Sequence, residues 1–151
     1  MKQDFSDSLG YNIHMVSHFM QNVYNEKLGE YDLTHSQARV IYFLATCGQQ
    51  SQTALQKKLY IKASSMNGVI ESLLKHGRIE KQTSPSDKRS NLITLTNQGR
   101  ELHSTIQEII RKIEIQATEG LSEEEQKIMV TWLKKVQKNM KPSVERRSDQ
   151  Q

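Results

Sequence analysis

Two short helical patterns with a tight break between them constrain this chain more than any other feature. They run from Gln52 to Leu59 and from Ala63 to His76. Two short helices joined this closely form a helix-turn-helix, whose second helix can enter the major groove of DNA. A polar, charged hairpin pattern follows directly. Ile79 lies on one arm, and Ile93 and Leu95 on the other, with all three expected to face inward. Its tip, Ser84-Pro85-Ser86-Asp87-Lys88-Arg89, is made of turn formers and cations. A hairpin appended to a helix-turn-helix makes a winged helix.

The flanks read as helices. Leu9, Ile13, Val16, Met20, Val23 and Tyr24 recur at three- and four-residue steps, predicting a helix over residues 8–30. Thr34 with Gln37 three residues on is a capping box that opens the next helix, through Val40, Ile41, Phe43 and Leu44. Gly48-Gln49-Gln50 ends it, and Ser51 is placed to cap the helix after it. Thr96 caps a long helix carrying Leu102, Ile106, Ile109, Ile110 and Ile113, which stops at Gly120. Ser122 and Glu125 form a second capping box, before a last apolar stripe of Ile128, Met129, Trp132, Leu133 and Val136.

The expected fold is therefore mainly α with a small β-hairpin wing. Residues 34–96 form the winged helix-turn-helix, and 8–30 with 97–140 form a helical dimerisation region. Residues 1–7 and 141–151 are expected to be flexible ends. The terminal stripes are too wide for one neighbour each, so a homodimer interleaving these helices is the economical arrangement.

Charge agrees with a nucleic-acid partner. Residues 50–100 hold nine Lys/Arg against three Asp/Glu, whereas residues 1–49 hold three against five and residues 101–151 hold nine against nine. The positive excess of this +4 chain thus sits entirely in the helix-turn-helix and wing, as expected for a polyanion partner. Only 35% of the residues are hydrophobic, so a chain this size gains from pairing with a second copy. No apolar run approaches the roughly 20 residues that span a membrane, and the N-terminus lacks a secretory pattern. One cysteine, Cys47, precludes an internal disulfide and suits a reducing cytoplasm.

Helix 63–76 is expected to bury Met66, Val69, Ile70 and Leu73. Ser64, Ser65, Asn67, Gly68 and Ser72 are left to face the major groove. Ser and Asn can hydrogen-bond base edges, and Gly68 would permit close approach at a cost to the helix of about 1 kcal/mol. Phosphate contacts are assigned to Lys57, Lys58, Lys62 and Lys75, together with the wing cations Lys88 and Arg89. Asp87 is placed to orient Arg89 by a charge-assisted bond.

Catalytic patterns are missing: there is no phosphate loop, nucleophile elbow or paired histidine-carboxylate motif. An enzyme is not expected, and no cofactor is called for. His14 and His18 have zinc-compatible spacing, but no further ligands complete the set in sequence. Cys47, after the apolar run ending in Leu44, is expected to be a buried, inert thiol. The alternatives are a redox switch at Cys47, or a winged-helix protein-interaction module without DNA binding.

The sequence also resembles the MarR-type transcriptional regulators. Their wing pattern, Asp-x-Arg, five residues, then Leu-Thr, is matched by Asp87, Arg89, Leu95 and Thr96, with the usual glycine at Gly99. Their helix pattern is matched by Leu55, Leu59, Ser64, Ser65, Val69, Leu73, Gly77 and Ile79. The likeness covers roughly residues 8 to 140. It implies a homodimer with recognition helices about one DNA turn, roughly 34–36 Å, apart, and a minor-groove role for Arg89. It further implies a repressor released by a small, often aromatic or anionic, effector lodged between the dimerisation helices and the winged helix. His14, Met15, His18, Arg39 and Tyr42 are the residues here that would line such a crevice. A fainter likeness, including the run Leu121-Ser122-Glu123-Glu124-Glu125, is to the repressors of multidrug-efflux genes.

Overall fold

Hydrogen-bonded caps set the boundaries of nearly every element in the computed structural model, which describes residues 4–83 and 91–142. After a short 3-10 turn, Ser8 caps α1 (Leu9–Gly29) by accepting from Tyr11 N. Both halves of the capping box at Thr34 and Gln37 are formed at the start of α2 (His35–Cys47), which ends at Gly48 with φ +78. Ser51 caps α3 (Gln52–Leu59), and Tyr60, in the left-handed region at φ 53, turns the chain sharply. Next come α4 (Ala63–Lys75), β2 (Ile79–Thr83), β3 (Asn91–Leu95), α5 (Asn97–Ala117) and α6 (Glu123–Met140). A strand absent from the sequence reading, β1 (Gln50–Ser51), joins the hairpin, giving an antiparallel sheet in the order β1-β3-β2. Two residues are too few to carry a period-2 signal.

The hairpin register pairs Ile79 with Leu95 and Lys81 with Ile93. Ile79, Ile93 and Leu95 are buried as expected, while β2 beyond Ile79 is exposed along its length. The sheet therefore enters the core only at its base. There Leu55, Met66, Ile70 and Leu73 of the helix-turn-helix meet Ile41 and Leu44 of α2 and Ile106 and Ile109 of α5.

Two buried polar residues hold this core together. Gln37 closes the α2 cap and also donates from Nε2 to Ser72 Oγ at 2.9 Å, tying α2 to α4. Arg78, just past the Gly77 turn, donates to the carbonyls of Asp32 (2.9 Å) and Tyr31 (2.7 Å). Burial pulls its pKa below the usual arginine value, against the opposing influence of Asp32. Arg78 is thus a structural cation. It leaves the basic surface to which the sequence count had assigned it.

The chain divides into two compact units, residues 1–114 and 115–151. In the first, α1 is covered only over its second half. Leu28 is buried and Met20, Val23 and Tyr24 pack on the core, but Leu9, Ile13, Val16 and Phe19 are exposed. In the second, the Ser122–Glu125 capping box forms as expected at the start of α6, with Glu123, Glu124 and Glu125 in the first turn. Its stripe is open, with Trp132 64% and Ile128 45% exposed.

Candidate nucleic-acid interface

The outer face of α4 is polar because its apolar residues all turn the other way. Met66, Ile70 and Leu73 are buried and Val69 is half-buried, so Ser64, Ser65, Asn67 and Gly68 are exposed. Nothing lies within 4 Å of a Cβ built on Gly68, so no packing requirement explains the glycine. Ser72 departs from the expectation. It is half-buried and its hydroxyl accepts from Gln37, which makes it a helix-packing contact, not a base reader. A four-residue step placed Ser72 on the exposed face, but α2 covers the last turns of α4.

Lys57, Lys58, Lys62 and Lys75 are all exposed, and among the described residues none has an acidic partner. They mark the end of α3 and both ends of α4: Lys57 and Lys58 in the last turn of α3, Lys62 at the N-cap of α4 and Lys75 in its last turn. Lys62 makes no capping bond. Asp87, Lys88 and Arg89 lie outside the described residues.

One contact on this face had no counterpart in the sequence reading. Gln52, the first residue of α3, donates from Nε2 to Asn67 Oδ1 at 2.6 Å. The 15-residue separation hides it from any helical periodicity.

Behind the helix-turn-helix lies an apolar cavity of about 190 Å³, formed by Tyr24 and Leu28 of α1, the α2 face, Leu59, and Ile106, Ile109 and Ile110 of α5. His35, Ala38, Arg39, Tyr42 and Phe43 are the α2 residues that line it. His35 stacks on Tyr24 with ring centroids 4.7 Å apart. Burial, reinforced by the nearby Arg39 guanidinium, lowers the His35 pKa. Burial first, and Glu114 second, raises that of Tyr24. Arg39 donates to the Leu59 carbonyl at 2.8 Å, anchoring its guanidinium at the wall.

Two of the five expected crevice residues, Arg39 and Tyr42, therefore line the cavity. His14, Met15 and His18 do not. They sit further toward the start of α1, where His14 and His18 are exposed and stack on each other at 6.4 Å. The core-facing half of α1 begins only near Met20, so these three residues lie on turns before the cavity. Tyr24 and His35 were missed. Cys47 also differs from expectation, being exposed at the end of α2. The apolar run stops at Leu44, and the last turn emerges from the core. Among the described residues no cluster of three or more His, Cys, Asp or Glu could hold a metal ion, and no helix is long and apolar enough to cross a membrane.

The sequence profile of the MarR family matches residues 33–91, from the end of the α1–α2 turn to the first residue of β3. The multiple antibiotic resistance protein MarR of Escherichia coli (strain K12) is 26% identical over 129 residues, covering 85% of this chain and 90% of that one. The crystal structure of a mutant Escherichia coli MarR complexed with operator DNA superimposes with a TM-score of 0.80 at 25% identity, over 89% of this chain and 99% of the other. The chain resembles the MarR family in sequence and in fold. A further MarR-like fold is that of Bordetella bronchiseptica BpsR, whose DNA binding is regulated by 6-hydroxynicotinic acid. It superimposes with a TM-score of 0.81 at 25% identity, covering 90% of this chain and 97% of BpsR. Within this MarR-like frame, the α3–α4 pair is the helix-turn-helix and β2–β3 the wing.

Proposed function

We propose that this chain is a MarR-type DNA-binding transcriptional regulator that acts as a homodimeric repressor on a palindromic operator and is released by a small planar aromatic effector. The observation that carries the first part is the polar α4 face flanked by four exposed lysines that have no acidic partner among the described residues. Serine and asparagine supply base-edge hydrogen bonds, and the lysines supply phosphate contacts. By the family resemblance, Arg89 adds a minor-groove contact and Asp87 orients it. The exposed apolar residues of α1 and α6 favour a dimer, since a second copy would cover surface that is costly to leave in water. Two copies would then present two α4 helices to successive major grooves.

The effector reading rests on the cavity. About 150 Å³ lined by apolar side chains is enough to take benzene, so about 190 Å³ suits a single ring with small substituents. A ring would lie against Tyr24, Tyr42 and the isoleucines, with a polar or anionic substituent toward His35 and Arg39. BpsR, regulated by 6-hydroxynicotinic acid, is a relative whose effector has that chemistry. Such a ligand acts only through a preference for the DNA-incompetent arrangement, worth several kcal/mol to empty an occupied operator. Regulated efflux genes fit a lipophilic effector of this kind.

Fluorescence anisotropy on duplex DNA tests the proposal. Each lysine that neutralises a phosphate should add about −0.9 to the slope of log K against log salt. An affinity unchanged between low and physiological salt rejects the phosphate contacts assigned to the lysines. Single-ring aromatic acids should lower operator affinity for the wild type and much less for Tyr42→Ala. The exposure of Cys47 favours a second reading, a redox switch. If peroxide releases the operator and no aromatic compound does, the switch lies at Cys47 and not in the cavity.

A further inference from the structure

We propose that Gln52 determines operator specificity through Asn67, the two amides forming one unit that reads an adenine in the major groove. This rests on the DNA-binding reading above and assigns a role to a residue outside the recognition helix.

A primary amide on an exposed helix face carries no fixed polarity, because a half-turn about its last torsion exchanges oxygen for nitrogen. The bond from Gln52 Nε2 to Asn67 Oδ1, at 2.6 Å, couples the two amides, so that whichever way they turn together one presents a donor and the other an acceptor. With Oδ1 occupied by Gln52, both Nδ2 hydrogens of Asn67 stay available, and so does Oε1 of Gln52. The unit thus offers a donor beside an acceptor. Adenine presents the complement in the major groove, an acceptor at N7 and an amino donor at N6. Guanine presents two acceptors, N7 and O6, so Gln52 Oε1 would face O6 with no proton between them. Cytosine and thymine each offer a single polar group and satisfy half of the unit.

The surroundings leave this pair room to work. Gly68, next to Asn67, has nothing within 4 Å of its Cβ position. Ser64 and Ser65, on the same exposed face, are too short to compete for the same base edge. A purely structural role would gain little here, since an exposed amide–amide bond replaces bonds to water of nearly equal worth.

Selection of duplexes from a random-sequence pool by the full-length protein tests the idea, followed by affinities for the selected duplex and for its adenine-to-guanine counterpart. The wild type should select a palindrome with a required adenine in each half-site. Gln52→Ala and Asn67→Ala should each reduce the adenine-over-guanine ratio by roughly tenfold. The double variant should lose no more than either single one. Gln52→Glu adds a readout that packing alone would not move. Its carboxylate can only accept, so Asn67 turns its Nδ2 inward and presents Oδ1, shifting selection from adenine toward cytosine. A Gln52→Ala variant that keeps the wild-type ratio overturns the proposal, as does a wild type that binds DNA without selecting any sequence. A wild type that fails to bind duplex DNA at low salt is a different result and overturns the DNA-binding reading itself.

Discussion

Gly99→Ala is expected to cost the fold about 2–3 kcal/mol, although helix propensity alone predicts a gain. Gly99 lies in the first turn of α5, where alanine would be favoured by about 1 kcal/mol. A Cβ there would drive into the backbone carbonyl of Arg78 and press on Leu95 Cδ2 at 3.0 Å. Neither can yield cheaply. The Arg78 carbonyl accepts from Thr96 N at 3.2 Å, while Thr96 Oγ1 donates to the Gly77 carbonyl at 2.7 Å and accepts from Gly99 N at 3.1 Å. Moving α5 away would break that cap, which is worth about 1 kcal/mol, in addition to overpacking costs of roughly 1–3 kcal/mol. Urea unfolding should show a lower midpoint with an unchanged slope. Gly68→Ala is the control: with open space around the Cβ, it should gain up to about 1 kcal/mol. A Gly99→Ala protein as stable as wild type would mean that the close approach of α5 to the Gly77–Arg78 turn is not a constraint.

The same knot shows what the sequence could and could not reveal. The order Leu95-Thr96-x-x-Gly99 was legible as a pattern, and Thr96 as a cap, because local spacing encodes both. The reason for the glycine was not legible, since its obstacle is Arg78, separated by the whole hairpin. Arg78 itself read as one more surface cation. Its partners are the carbonyls of Tyr31 and Asp32, and main-chain acceptors leave no trace in side-chain composition. Gln52 and Asn67 were hidden for a related reason, as a contact between two helices has no fixed sequence step. The capping boxes at Thr34–Gln37 and Ser122–Glu125 were read correctly because they close within three residues. Periodicity gave the direction of each helix face but not how far along the helix its neighbour reaches. That is why His14, Met15 and His18, expected along one crevice with Arg39 and Tyr42, lie short of the cavity that begins at Tyr24, and why Cys47 was expected in a core that ends at Leu44.

Lys62→Asp should raise stability and abolish most DNA affinity, moving the two in opposite directions. Lys62 occupies the N-cap of α4 with extended backbone, φ −62 and ψ 147, and makes no side-chain capping bond. Aspartate at such a position accepts from the first-turn N–H groups and favours the helix dipole, together worth about 1–2 kcal/mol. On stability grounds, lysine is therefore a poor residue for this site. It makes sense if the position faces phosphate, where a cation contributes to binding what it forgoes in capping. Replacing it with an anion removes one attraction and adds one repulsion at each half-site. In a dimer, the expected fall in operator affinity at low salt is on the order of a hundredfold. Lys62→Ser separates the two effects, because it can cap without reversing the charge. It should match the aspartate variant in much of its stability gain while losing only the attraction. A thermal midpoint that drops in both variants would refute the capping account. A raised midpoint with unaltered operator affinity would remove Lys62 from the DNA-facing surface, and a lysine at that cap would be left without a function to explain it.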